Sequence, residues 1–282
     1  MTNSYLNIVT FLLTTVFYYL ALKPALPFST YNDQEKYKKY ISNNYMYLAI
    51  YVLLVIVIQF IVNSSIITNS CGGNITENMG AAGVLTFLPW ILIFGVLVMV
   101  LTIYPGFKSA FSDVVGYYYV SGQATKLLTE LLKNQEIEKK MDEEPNMNPK
   151  EREGLESAAD AIIKICGNNS ILINQIVPSN FSQYWTILSP LMKDKYKVAG
   201  PETDKIQNDL FELVVTRDNV GEAMWYIYTG LLLTAIVQLK ITSRGCNTNP
   251  ATMEANYQKF LKQEQTAKEQ KENTSTTYTV TN

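Results

Sequence analysis

The residue types that most often carry out catalysis or bind metal ions are scarce in this chain of 282 residues. Histidine is absent, which excludes Ser-His-Asp and Cys-His catalysis, histidine-ligated metal sites and imidazole pH switches. The three cysteines, Cys71, Cys166 and Cys246, are too few for a disulfide scaffold or a four-thiolate zinc site. The acidic run at residues 142–144 is typical of a solvated turn, and neither a phosphate-binding loop nor a nucleophile elbow is present. We therefore predict no catalytic residue, no metal site and no cofactor, and we do not expect an enzyme.

The charges are nearly balanced but unevenly placed. Lys and Arg number 23 against 25 Asp and Glu, so the net charge is −2 and no basic patch dominates. Binding to nucleic acid through phosphate neutralisation is therefore not expected. Between Tyr40 and Gly106 the only charged residue is Glu77. A segment of this length with so little charge indicates that lipid, rather than water, surrounds part of the chain.

Four apolar stretches account for this pattern. They cover about residues 5–22, 45–67, 81–104 and 220–239. A bilayer core about 30 Å thick needs roughly 20 apolar residues in a helix, which the second and third stretches exceed and the first barely approaches. The third contains Pro89, which we expect to kink it, and the fourth carries Glu222 at its start, where a helix N-terminus tolerates an anion. Because helices that are apolar all round are rare in soluble proteins, buried helices of a soluble protein are the weaker interpretation.

The prediction is an all-α integral membrane protein with four transmembrane helices and a helical polar domain between the third and fourth spans. The expected regions are a membrane region at 1–104, a helical polar domain with an interfacial helix at 105–219, the fourth span at 220–239 and a polar tail at 240–282.

The lysines predict the topology. The loop at residues 23–44 holds four lysines and the loop at residues 68–80 holds none, so the positive-inside rule places the first in the cytosol and the second on the far side. Residues 105–219 are then cytosolic, and the tail lies on the far side. Cys71 and Cys246 each follow a span by a few residues on that far side, so a disulfide between them is geometrically possible, with two free thiols as the alternative.

The polar domain reads as several amphipathic helices. One is expected over residues 148–167, and another begins at Pro201 with an apolar face that includes Leu210 and Val214. Asn219 and Glu222 form a capping pair, which predicts that a separate helix starts there as the fourth span. The candidate partner contacts are the interfacial stretch and the hinge at residues 217–222; the named residues are Phe107, Phe111, Tyr117, Tyr118, Tyr119, Arg217 and Glu222. Plain packing at the membrane surface is the alternative for all of them.

Three strings taken together resemble a known group of proteins. They are CGGNITENMGAAGVLTFLPWILIFGVL at residues 71–97, YPGFKSAFSDVVGYYYVS at 104–121 and TRDNVGEAMWYIYTGLL at 216–232. The sequence resembles multi-pass membrane proteins of nucleocytoplasmic large DNA viruses, the giant-virus and algal-virus group. The resemblance implies a protein of the internal virion membrane, which is assembled from host endomembrane and lies under an icosahedral capsid. It implies capsid or other virion membrane proteins as partners, and it supplies no catalytic residues.

Two further functions compete with a structural protein of a virus particle. An oligomeric channel or transporter of a cellular membrane is possible, with a pore lined by Thr and Gln side chains, although no span carries a charge in its middle. A membrane-embedded enzyme is disfavoured by the missing histidine. The expected partners are the lipid bilayer and virion proteins, with a homo-oligomer possible and nucleic acid excluded.

Overall fold

The computed structural model describes residues 5–71, 74–132, 169–243, 246 and 250–273. Within these ranges the chain is all-α, as predicted, and contains a single isolated β-bridge, between Leu132 and Met192. The predicted helix at residues 148–167 and the acidic run at 142–144 lie outside the described residues.

The first half of the chain forms the membrane bundle. The helices of this half are α1 (Leu6–Phe17), α2 (Phe28–Tyr31), α3 (Gln34–Cys71), α4 (Ile75–Pro89) and α5 (Val96–Ile103). The short α2 lies outside the bundle, because its Phe28 packs in a core built mainly by the second half. A π-helical turn, Tyr18–Leu22, prolongs α1, and another, Trp90–Gly95, joins α4 to α5 directly after Pro89. Because proline lacks the N–H that an α-helix needs, a local change of helical pitch at this point is expected.

The second half builds a polar unit, the last span and a helix of the tail. Its helices are α6 (Ser109–Phe111), α7 (Tyr117–Leu131), α8 (Asn169–Gln175), α9 (Phe181–Leu188), α10 (Pro201–Ser243) and α11 (Pro250–Asn273). The polar unit consists of α6 to α9 and the first third of α10. A π-helical turn, Ser112–Gly116, joins α6 to α7. Nearly all the described side chains of α11 are exposed, in keeping with the polar tail expected at residues 240–282.

Among the described residues, three helical segments are long and apolar enough to cross a bilayer: Gln34–Cys71, Ile75–Ile103 and Pro201–Ser243. They contain the predicted second, third and fourth spans. The predicted first span is the shorter apolar helix Leu6–Leu22. These lengths and compositions support an integral membrane protein with three candidate spanning helices.

Helix α10 connects the two parts of the molecule. Its 43 residues correspond to roughly 65 Å, about twice the thickness of a bilayer core. Its first third contributes Ile206, Leu210 and Val214 to the core of the polar unit, and its last third contributes Leu233 and Val237 to two apolar clusters of the bundle. The polar unit and the bundle are therefore built on one continuous helix.

The predicted helix start at Asn219 and Glu222 is wrong. Both residues lie inside α10, which continues without a break from Pro201 to Ser243, so no hinge exists at residues 217–222. A capping pattern starts a helix only when the preceding residues leave helical geometry. Here the preceding residues are held helical because Leu213 and Val214 are buried in the core of the polar unit.

Candidate functional site at the membrane boundary

The carboxylate of Glu222 lies at the junction between the polar unit and the membrane bundle. It accepts hydrogen bonds from the ammonium groups of Lys23 and Lys108, the second with an Nζ–Oε2 distance of 2.6 Å, and from the hydroxyl of Tyr19 at 3.0 Å. The Lys108 ammonium also lies 3.2 Å from a carboxylate oxygen of Asp218. All four charged side chains are at most 16% exposed. We call Lys23, Lys108, Asp218 and Glu222 the boundary cluster.

The boundary cluster balances two positive against two negative charges in a poorly solvated place. Burial lowers the pKa of Lys23, and the single carboxylate of Glu222 offsets this only in part. Burial acts in the same direction on Lys108, but the carboxylates of Glu222 and Asp218 outweigh it and raise the pKa of Lys108 above its usual value. The ammonium of Lys108, with two anionic neighbours, is therefore the more firmly charged of the two.

A second group of polar side chains adjoins the boundary cluster and centres on Arg217. The guanidinium donates hydrogen bonds to the backbone carbonyl of Ile173 and, at 3.4 Å, to Asn174 Oδ1. Asp113 Oδ1 lies 3.9 Å from Arg217 Nη1, and Asn174 Nδ2 donates to the Asp113 carbonyl at 3.0 Å. Partial burial raises the pKa of Asp113, against the opposing effect of Arg217. These bonds attach α8 and the Ser112–Gly116 turn to α10.

Two glycines allow the Ser112–Gly116 turn to lie directly against α10. A Cβ atom added to Gly116 would lie 2.5 Å from the Arg217 carbonyl oxygen, and one added to Gly221 would lie 2.6 Å from Ser112 Cβ. Larger side chains at either position would force the backbones apart. One turn further along α10, Trp225 Nε1 donates to the carbonyl oxygen of Phe107 at 2.9 Å.

Among the residues predicted to contact a partner, the two charged ones are buried and cannot contact one. Arg217 is 0% exposed and Glu222 is 7% exposed, and both are bonded within the chain. The expectation that they form an outward contact is therefore wrong. Glu222 is also far from the N-terminus of its own helix α10, so Lys23 and Lys108, rather than the predicted helix start, stabilise its charge.

The predicted aromatic contacts divide into two groups. Phe107, Tyr118 and Tyr119 are 55%, 83% and 71% exposed. Tyr117 is partly buried against the core of the polar unit, and the Phe111 ring packs edge-on against Trp225 with centroids 5.0 Å apart. Only the first group remains available to a partner or a lipid surface.

At the other end of the bundle, a disulfide joins Cys71 to Cys246. The two Cα atoms are 5.3 Å apart, and 175 positions separate the residues in sequence. The bond ties the C-terminal end of α3 to the residues that follow α10. The alternative of two free thiols is not what the structure contains.

Polar side chains also meet inside the bundle. Asn63 accepts a hydrogen bond from Asn7 Nδ2 at 2.8 Å and donates one to Thr86 Oγ1 at 2.8 Å. Gln59 donates to the Asn7 carbonyl at 3.0 Å, and Asn7 Nδ2 lies 3.4 Å from Gln238 Oε1. These bonds connect α1, α3, α4 and α10, and they fix the relative register of the four helices.

Sequence reasoning missed the partners of Glu222. Lys23 was used only to predict which side of the membrane its loop faces, and no prediction was made for Lys108 or Asp218. The available signal was Glu222 itself, since a carboxylate beside an apolar span requires a cation close by. Among the described residues, no group of three or more His, Cys, Asp and Glu side chains is arranged to hold a metal ion.

The chain matches no family model, no curated protein and no solved structure. The function therefore has to be inferred from the fold and from the boundary cluster.

Proposed function

We propose that this protein is a structural integral membrane protein of a large DNA virus particle, which links the internal membrane to capsid proteins or shapes that membrane. The viral assignment rests on the resemblance of residues 71–97, 104–121 and 216–232. The structural role rests on how the polar unit is mounted on the membrane bundle. We further propose that the protein is not an enzyme.

The observation that carries the structural role is the continuity of α10. A helix without a break transmits position and orientation from the bilayer to the polar unit, whereas a flexible linker would not. Close packing at Gly116 and Gly221, and the bonds of Arg217, hold the rest of the polar unit against the same helix. This rigid connection between the polar unit and the membrane helices suits a protein that holds a partner at a fixed distance from a membrane.

We propose that the short helix Leu6–Leu22 is a fourth crossing. Near its start Asn7 reaches Gln238, and immediately after its end Lys23 reaches Glu222. Along α10 these two partners are 16 positions apart, roughly 24 Å, so α1 with its π turn runs beside most of the membrane part of α10. The ring of Phe11 packs directly on Gly230, where an added Cβ would lie 2.0 Å from the ring.

The topology proposed from the lysines is compatible with this arrangement. Phe28, from the loop at residues 23–44, packs against Phe181 and Phe211 of the polar unit, with ring centroids 5.3 Å apart in each pair. The disulfide lies beyond the opposite ends of α3 and α10. We propose that the polar unit faces the cytosol and the disulfide faces the far side, where oxidising conditions preserve it.

A channel is the alternative, and the polar side chains of the bundle do not favour it. Asn7, Asn63 and Thr86 are at most 1% exposed and are bonded to one another. Thr15 likewise shares a hydrogen bond with Tyr51 at 2.9 Å. Side chains that are buried between helices and bonded to one another are unavailable to line a pore. Ion flux through vesicles that contain the purified protein would favour the channel.

The test uses gradient-purified particles of the virus that encodes the chain. We expect the protein in the particles, extractable only with detergent, and cross-linked through residues 105–219 to a capsid-side protein. Protease added to particles with opened capsids but intact membranes should cleave the polar unit and spare the disulfide-linked region. Absence from particles, or a monodisperse protein in buffer without detergent, would contradict the proposal.

A pair of matched variants separates partner contact from membrane anchoring. We expect Tyr118→Ser with Tyr119→Ser to reduce cross-linking to the capsid-side protein while leaving membrane insertion unchanged, because both rings are exposed on the polar unit. Tyr257→Ser, on the exposed face of α11, is the control and should have no effect. Equal cross-linking in all three proteins would count against this contact surface.

A further inference from the structure

The acceptor sequence for N-linked glycans, Asn followed by any residue except Pro and then by Ser or Thr, occurs five times in the chain. The five asparagines are Asn63, Asn74, Asn168, Asn180 and Asn273. In a chain rich in Asn, Ser and Thr several such sequences arise by chance, so the motif alone selects none of them. The glycan is transferred only on the lumenal side of the endoplasmic reticulum membrane, and only where the transferase reaches the asparagine. Side and access therefore decide which asparagine is modified.

The disulfide indicates which end of the molecule meets the lumen. A bond between Cys71 and Cys246 persists in the oxidising lumen of the endoplasmic reticulum, whereas the cytosol keeps thiols reduced. Cys246 lies between the end of α10 and the start of α11, so α11 begins on the lumenal side. The polar unit is built on the opposite end of α10 and faces the cytosol. This step rests on the topology proposed above.

Three of the five asparagines belong to the polar unit or to the interior of the bundle. Asn63 is 0% exposed between the helices of the bundle. Asn180 belongs to the polar unit, where its Oδ1 accepts a hydrogen bond from the backbone N–H of Val177 at 2.8 Å. Asn168 lies outside the described residues, but it directly precedes α8 of the same unit. None of these three is therefore expected to meet a lumenal transferase.

Asn74 is on the lumenal side but lies close to the membrane. The residue is exposed, yet Cys71 before it is held by the disulfide. Directly after it, Ile75 begins the helical segment Ile75–Ile103, which is long and apolar enough to span a bilayer. An enzyme that modifies a chain takes the acceptor and its neighbours into its active site in an extended form. The short connection from Cys71 to Ile75 does not supply such a stretch.

Helix α11 ends at the fifth asparagine, Asn273, which Thr274 and Ser275 follow in the sequence. The 24 residues of α11 correspond to roughly 36 Å, so the helix separates Asn273 from the disulfide by more than the thickness of a bilayer core. Residues 262–269 are all exposed, and eight consecutive residues cover more than two helical turns. No described part of the chain therefore covers any face of the helix there, and α11 leads away from the packed part of the molecule.

We propose that Asn273 is the residue of this chain that carries an N-linked glycan. The donor is an oligosaccharide joined through a diphosphate to a membrane lipid. A bond forms between Asn273 Nδ2 and C1 of the first sugar, while the bond from C1 to the diphosphate oxygen breaks. The electron pair of the broken bond leaves with the lipid diphosphate, and the amide releases one proton. The inference depends on the proposed topology but is independent of the viral assignment and of any capsid partner.

The experiment expresses the full chain in eukaryotic cells and compares its electrophoretic mobility before and after treatment with peptide N-glycosidase. We expect the enzyme to shift the untreated band by the mass of one glycan. Asn273→Gln removes the acceptor and Ser275→Ala removes the hydroxyl that the motif requires, so each variant should abolish the shift. Asn74→Gln and Asn180→Gln each remove another copy of the motif. These two variants are the matched controls and should retain the shift.

Alkylation of free thiols in the same samples separates a wrong site from a wrong topology. An unmodified chain would overturn the assignment of Asn273; the topology survives if Cys71 and Cys246 resist alkylation, and it fails as well if they react. A shift that Asn180→Gln abolishes and Asn273→Gln retains would place the polar unit in the lumen and overturn both. A shift that only Asn74→Gln abolishes would overturn the site but leave the topology intact.

Discussion

The boundary cluster makes a quantitative prediction about buried charge. In the native protein Lys23 and Lys108 face Glu222 and Asp218, so two positive charges meet two negative charges. Glu222→Gln preserves the shape of the side chain but leaves a net charge of +1 in a place where the side chains of Lys23 and Glu222 are only 8% and 9% exposed. Removing one partner of a buried ion pair typically costs about 3–5 kcal/mol, because the other charge stays buried without compensation. We expect a loss of unfolding free energy of about that size.

A second substitution should restore part of the lost unfolding free energy. Lys23→Met, combined with Glu222→Gln, removes one charge of each sign and leaves Lys108 paired with Asp218 at 3.2 Å. Replacing both members of a buried pair by neutral groups is often close to neutral in stability. The double variant should therefore be more stable than Glu222→Gln alone, with a coupling energy of about 2 kcal/mol or more.

The assay is equilibrium unfolding by sodium dodecyl sulfate in mixed micelles, followed by far-ultraviolet circular dichroism. Glu264→Gln is the control, since Glu264 forms an ion pair with Lys268 at 3.0 Å on the exposed surface of α11, and solvent-exposed pairs contribute little. A coupling energy near zero between positions 23 and 222 would refute the reasoning. So would a Glu222→Gln protein as stable as the control.

Two further predictions concern packing inside the protein. Gly221→Ala should destabilise the protein by about 1–3 kcal/mol, because its Cβ would lie 2.6 Å from Ser112 Cβ. Gly122→Ala in α7 is the control and should be tolerated, because no atom lies within 4 Å of the added Cβ. The same unfolding assay compares the two variants, and equal unfolding midpoints would contradict the close approach at Gly221. Asn63→Leu should cost about 1–2 kcal/mol, because Asn7 and Thr86 both lose their hydrogen bonds to Asn63. Thr102→Val should change stability much less, because the Thr102 hydroxyl bonds only to its own helix.

The membrane character of the chain could be predicted from local sequence. Uncharged apolar stretches at residues 45–67 and 81–104 are long enough to cross a bilayer, and the structure contains both within spanning helices. The helix from Pro201 and its buried Leu210 and Val214 were also predicted correctly. These features depend on length and periodicity along one segment, so no knowledge of distant contacts is needed.

The start of the last span could not be predicted in this way. Asn219 and Glu222 form a valid local capping pattern, but packing of the preceding residues in the polar unit holds α10 continuous through them. The local preference is worth about 1 kcal/mol, which is less than the burial of several apolar side chains upstream. The same continuity places Arg217 and Glu222 inside the molecule instead of on its surface.

By itself, therefore, the sequence determined the apolar, membrane-spanning character of three helices and the helical class of the chain, because apolar length and periodicity are local properties. Only the tertiary structure decided which distant residues meet. Lys23 and Lys108 reach Glu222 across 199 and 114 positions of sequence, and Cys71 bonds to Cys246 across 175. Such pairings follow from how helices pack against α10, since a buried charge or a sulfur atom takes whichever partner the packing brings within reach.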